Sequence, residues 1–124
     1  MSILDRRAAA DLIAAEMAIY RYSRQVDDRP SAWRSLERAH ILAQPFFGLH
    51  LSSHRHMLGY ALSLSDWREA AGQLVRLALV PLGSLTGRLP VGNTGRARIS
   101  AFQPMPMPPD LAALISPHDK PASR

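Results

Sequence analysis

The first 29 residues contain neither glycine nor proline, and Pro30 follows directly on Asp27-Asp28-Arg29. A run without breakers is free to form one continuous helix. Its apolar residues recur at helical spacing: Leu12, Ile13, Ile19 and Tyr20 fall within about 80° of Ala9 at 100° per residue. The pattern predicts a helix over 4–26, stopped by Pro30, whose ring disfavours helical backbone in the residue before it. Ser31 is placed to cap a second helix over 32–44, with Ala32, Leu36, Ala39 and Ala43 as its apolar stripe and Pro45 at its end. A third helix is expected over 48–64. A fourth starts at Asp66, whose carboxylate caps it with Glu69 at the third position, and should end near Pro81 and Gly83. Trp67, Ala70, Ala71, Leu74, Leu77 and Ala78 form its apolar face, which leaves Arg68, Gly72 and Arg76 facing water.

Four helices joined by short turns imply an all-α fold, an antiparallel four-helix bundle. Ser31-Ala32-Trp33-Arg34 has an echo in Ser65-Asp66-Trp67-Arg68 at an offset of 34, the period of a tetratricopeptide repeat. Two such hairpins fall short of the three a solenoid needs, so the expectation is two tetratricopeptide-like hairpins packed together. After Leu82 the pattern breaks down. Gly83, Gly87, Pro90, Gly92 and Gly95 are followed by Gln103-Pro-Met-Pro-Met-Pro-Pro109, which reads as extended polyproline-like chain. Asp110 can cap a short helical turn through Ile115, and Ser116 to Arg124 reads as a frayed tail. The expected organisation is a single domain, with a helical bundle over 1–82 and an extended arm packing on it over 83–124. A length of 124 residues suits one core.

The chain has no cysteine, which excludes disulfides, thiol catalysis, cysteine-ligated zinc and iron–sulfur clusters. No apolar run reaches the ~18 residues of a membrane span. Asp5 interrupts the first seven residues, unlike a secretory signal, so a cytoplasmic location is expected. The net charge of +5 resides between Arg38 and Pro109, where seven arginines face only Asp66 and Glu69. These arginines are spaced out and not interleaved with aromatics, so nucleic acid is not the expected partner. An anionic small molecule near Arg96 and Arg98, or a protein partner docking on the Pro/Met arm, are the partners that such features suit.

The most informative residues are polar groups on apolar faces. With His50 at zero, His54, Met57, Ala61 and Leu64 all lie within about 40°, while Ser52, Arg55, His56 and Gly59 take the opposite side. His50 and His54, one turn apart on one face, can bring two imidazoles to a common point. Glu37 and His40 form a Glu-x-x-His pair on the preceding helix, the pattern helical bundles use to hold iron or manganese. Glu16 falls inside the apolar stripe of the first helix, where a carboxylate must have a partner. Together Glu16, Glu37, His40, His50 and His54 are the candidate metal ligands. A mixed set of imidazole and carboxylate suits Zn²⁺, Fe²⁺ or Mn²⁺ better than Cu⁺. The plainer alternative makes the histidines hydrogen-bonded core residues and gives Glu37 an arginine partner.

Leu36-Glu-Arg-Ala-His-Ile-Leu-Ala-Gln44 resembles a bacterial family of small proteins classed as a domain of unknown function. The resemblance continues through His50, His54, Met57 and Leu58, then through Asp66 to Glu69, Gly72-Gln73 and Pro90-Val-Gly-Asn-Thr-Gly95. It spans roughly residues 30–110, with Ala43 standing where a glycine is expected. It implies that His40, His50 and His54 belong to the family pattern, and it carries no activity with it.

Three functions follow from these observations. The first is a metal-binding helical protein, in one form a small metal-dependent enzyme. The second is a tetratricopeptide-like interaction module with structural histidines. The third is a metal-free enzyme using His and Glu as acid and base.

Overall fold

The structure, a computed structural model, describes residues 4–86, 94–97 and 105–115. The tail from Ser116 onward, most of the Pro90–Gly95 loop, and Arg98 lie outside the described residues. Five helices are present: α1 (Arg6–Gln25), α2 (Arg29–Ala43), α3 (Phe47–Ser63), α4 (Trp67–Thr86) and the short α5 (Pro109–Ile115). No strand occurs among the described residues. Each long helix packs on the next, α1 on α2, α2 on α3 and α3 on α4. None of the described helices is long and apolar enough to cross a membrane.

The ends of α1 and α3 are built by the same device. At the end of α1, Asp27 takes φ 54°, its N–H bonds to Arg24 O and that of Asp28 to Ser23 O. At the end of α3, Ser65 takes φ 55°, its N–H bonds to Leu62 O and that of Asp66 to Ala61 O. One left-handed residue thus satisfies carbonyls that the helix end leaves bare. The next residue is an aspartate in both cases, and it caps the following helix. Asp28 Oδ1 accepts from Ser31 N at 3.2 Å, and Asp66 Oδ1 from Glu69 N at 3.1 Å. Asp28 therefore holds the capping place expected of Ser31, and Pro30 sits in the first turn of α2, where a missing N–H costs nothing. The two joints are 38 residues apart, so the 34-residue echo of Trp33 in Trp67 does not join equivalent positions. Trp33 is 9% exposed and Trp67 is 67% exposed.

Two apolar clusters hold the helices together. Tyr20, Trp33, Leu36, Met57, Tyr60, Ala61 and Ala70 form one across α1 to α4. Leu4, Ala9, Ile41, Leu42 and Leu111 form the other, so α5 seats a leucine against α1 and α2. Arg38 ties the same region together by bonding both Glu16 and Asp110.

The fourth helix departs most from expectation. It runs through Pro81 to Thr86, because an interior proline removes one backbone bond without obliging the helix to stop. Ala70 is buried and Arg68 exposed as expected, but the rest of the burial pattern differs. Glu69, Gln73, Arg76 and Val80 are buried, at i, i+4, i+7 and i+11, while Trp67, Leu74, Val75 and Leu82 are exposed. The expectation that Gly72 and Arg76 face water fails for a non-local reason: residues 94–97 lie along this side of α4. A Cβ added at Gly72 would overlap the Cβ of Ala97. Arg76 donates to the carbonyl of Arg96 at 2.9 Å and to that of Gly72 at 3.2 Å.

Candidate metal centre

His40 lies in the last turn of α2, and His50 and His54 in the first two turns of α3. Only Gln44 to Phe46 separate the two helices, and both turn these side chains inward. All three imidazoles are 2–3% exposed. Their ring centroids form a nearly equilateral triangle with sides of 4.7, 4.8 and 4.9 Å. His40 Nε2 is 3.0 Å from His50 Nε2, and His54 Nε2 is 3.1 Å from the same atom. Among the described residues these three are the group of side chains able to share a metal ion. His56 is exposed on the far side of α3, as the helical period requires.

Two outer contacts orient the rings. Gln73, fully buried on α4, donates its Nε2–H to Gly95 O at 2.8 Å. Its Oε1 must then face His54 Nδ1, which lies 2.7 Å away and must carry the proton. In the neutral ring this leaves His54 Nε2 as a bare lone pair pointing at the other two rings. Gly95 adopts φ +81° and lies flat against His40: a Cβ there would stand 2.8 Å from Cδ2 and 2.9 Å from Nε2 of that ring. Only glycine permits both the conformation and the approach.

Burial disfavours the charged form of His50 and His54. It pushes His50 down to about 4, helped by the charge of His54. Burial also lowers His54; the Gln73 contact opposes the shift, Arg76 adds to it and Glu69 opposes it. Neutral imidazole is the form a metal ion binds.

The two carboxylates expected at the site are elsewhere. Glu16 bonds Arg38 at 2.7 Å, which supplies the partner its position demanded. Glu37 accepts from Arg96 Nη1 at 3.3 Å. Arg96 is also bonded through Nε to the buried Glu69, whose other oxygen accepts from Ala97 N at 2.6 Å. The Arg96 guanidinium stacks on Trp33, 3.7 Å from the ring centroid. Arg96, expected as a solvated charge or an anion contact, is thus a structural tie that pins residues 94–97 to α2 and α4.

The chain matches the model of the family described as Protein of unknown function (DUF3703) over residues 7–115. It belongs to that family. No curated protein and no solved structure matches it. In this family member the centre rests on more than its histidines. Gln73, Gly95, Glu69 and Arg76 support it, and none of them was expected at a metal centre. The available signal was the spacing of Glu69, Gln73 and Arg76 at i, i+4 and i+7, a polar stripe along one helical face.

Proposed function

We propose that this protein binds a metal ion through Nε2 of His40, His50 and His54. The observation that carries the reading is the proton count in the cluster. His54 Nε2 is bare because Gln73 fixes the proton on Nδ1. If His50 Nε2 is bare as well, two lone pairs oppose each other at 3.1 Å. If His50 Nε2 carries the proton, that one hydrogen must serve both neighbours. Hydrogen bonding leaves one hydrogen on His50 Nε2 facing two nitrogens, whereas a cation at the point of convergence uses all three lone pairs. Gln73 supports the same reading, since metal-bound histidines regularly donate their second nitrogen to a fixed acceptor.

Glu16 and Glu37 are not in the proposed ligand set, because each is engaged by an arginine. A binding role suits the closed geometry better than a catalytic one, which keeps a coordination position open to water. The interaction-module reading draws on a separate observation, the exposed Trp67, Leu74, Val75 and Leu82 on α4. The test is metal content after purification without affinity histidines or chelator, for wild type, His54→Ala and His56→Ala. Wild type and His56→Ala should carry or take up one ion per chain, and His54→Ala should not. If wild type carries none and gains no thermal stability from added Zn²⁺, Fe²⁺, Mn²⁺ or copper, the histidines are core residues and the interaction reading takes first place.

A further inference from the structure

The donor set at the histidine triangle is purely nitrogen and purely neutral. Each carboxylate near enough in sequence to join it is bound by an arginine: Glu16 by Arg38, and Glu37 and Glu69 by Arg96. On α4 the second Glu69 oxygen is taken up by Ala97 N, and Arg76 is spent on the carbonyls of Gly72 and Arg96. The centre is also sealed. The three rings are 2–3% exposed, and Gly95 closes over His40.

These conditions discriminate by charge. The cost of placing an ion in a poorly solvated site rises with the square of its charge, so a divalent ion pays about four times what a univalent one does. Zinc held by three histidines ordinarily takes a water or hydroxide as fourth ligand, and Cu²⁺ prefers a tetragonal shell. Neither requirement is met by three converging imidazoles under a closed cover. A univalent d¹⁰ ion is satisfied by three nitrogens in a plane. At metal–nitrogen bonds of about 2.0 Å the nitrogens would stand ~3.5 Å apart, so His50 Nε2, now 3.0 and 3.1 Å from its two neighbours, need move from each by only about half an ångström.

We propose that the three-histidine centre selects Cu⁺ over Zn²⁺ and other divalent ions, coordinating it through Nε2 of His40, His50 and His54 alone. This rests on the metal-binding reading above and reverses the preference for Zn²⁺, Fe²⁺ or Mn²⁺, which assumed carboxylate ligands. Met57, fully buried one turn beyond His54 on the same face, contributes to the apolar cluster with Trp33 and Tyr60 and is not a ligand in this proposal.

The experiment uses the full chain under anaerobic, reducing conditions. Cu⁺ is titrated against a chromophoric Cu⁺ chelator, and Zn²⁺ against a chromophoric zinc indicator. The copper-loaded protein is then challenged with excess Zn²⁺ and its copper K-edge absorption is recorded. The expected result is one Cu⁺ per chain, not displaced by Zn²⁺, with an all-nitrogen first shell of three ligands and the outer-shell scattering of imidazole. Gln73→Ala, which leaves the three ligands in place, should weaken Cu⁺ binding by about 10–100-fold. Tight Zn²⁺ binding that Cu⁺ cannot displace overturns the choice of ion and leaves the metal-binding reading standing. A sulfur shell overturns the all-nitrogen assignment and brings Met57 into the site. Failure of both ions to bind overturns the proposal, and the metal-binding reading falls with it when Fe²⁺ and Mn²⁺ also leave thermal stability unchanged.

Discussion

Replacing Gly95 by alanine tests the contact that fixes His40. Two costs add at this position. The backbone sits at φ +81°, where a Cβ costs an ordinary residue about 1–2 kcal/mol. The new Cβ would also meet the His40 ring at 2.8–3.0 Å, on three of its atoms. The ring cannot withdraw freely, because it packs against the rings of both His50 and His54, so overpacking adds about 1–3 kcal/mol. The metal-free variant should therefore lose roughly 2–5 kcal/mol of stability. Its His40 Nε2 should also be driven out of register with the other two nitrogens, which lowers metal affinity. Urea unfolding of the metal-free protein measures the first effect and metal titration the second. Gly59→Ala is the control. Gly59 is helical with nothing within 4 Å of an added Cβ, so alanine there should stabilise by up to about 1 kcal/mol. A Gly95→Ala protein with wild-type stability and wild-type metal binding would refute the packing of residues 94–97 on the centre.

Other outcomes follow from the same geometry. Arg96→Ala breaks a tie to the 4%-exposed Glu69 and uncovers Trp33, so a loss of about 3–5 kcal/mol is expected in denaturant unfolding. Asp28→Ala and Asp66→Ala each remove a helix cap and should each cost about 1 kcal/mol by the same assay. The metal-free protein should weaken in acid through His50, whose native value lies near 4 against an ordinary 6.5. Above pH 6.5 the ring is neutral folded or unfolded. Between about 6.5 and 4 only the unfolded chain takes up the proton, so stability falls with pH by roughly 3 kcal/mol, and His50→Asn should flatten that slope.

How far the sequence could be read depended on whether a residue's partners were local. The face of α3 was legible because helical period alone places His50, His54 and Met57 inside and His56 outside. His40 was legible because only a tight turn separates the two helices. The carboxylates were not, since nothing local tells Glu37 that its partner is Arg96, 59 residues away. α4 inverted the hydrophobicity rule for the same reason. Glu69, Gln73 and Arg76 are buried where the backbone and guanidinium of residues 95–97 bond to them. The apolar residues they displaced, Trp67, Leu74 and Val75, are left on the outer face. The buried polar stripe of α4 is therefore a consequence of the segment that closes the histidine centre.

The most direct test of the three-histidine centre is nitrogen-15 NMR of the imidazoles during titration with one equivalent of a diamagnetic ion, Cu⁺ or Zn²⁺. The account requires Nε2 of His40, His50 and His54 to shift together and saturate at one ion per chain. His54 Nδ1 should keep its proton to Gln73 throughout, and both nitrogens of His56 should stay where they were. Ring nitrogens of His40, His50 and His54 that remain unchanged with either ion, or a response confined to His56, would contradict it.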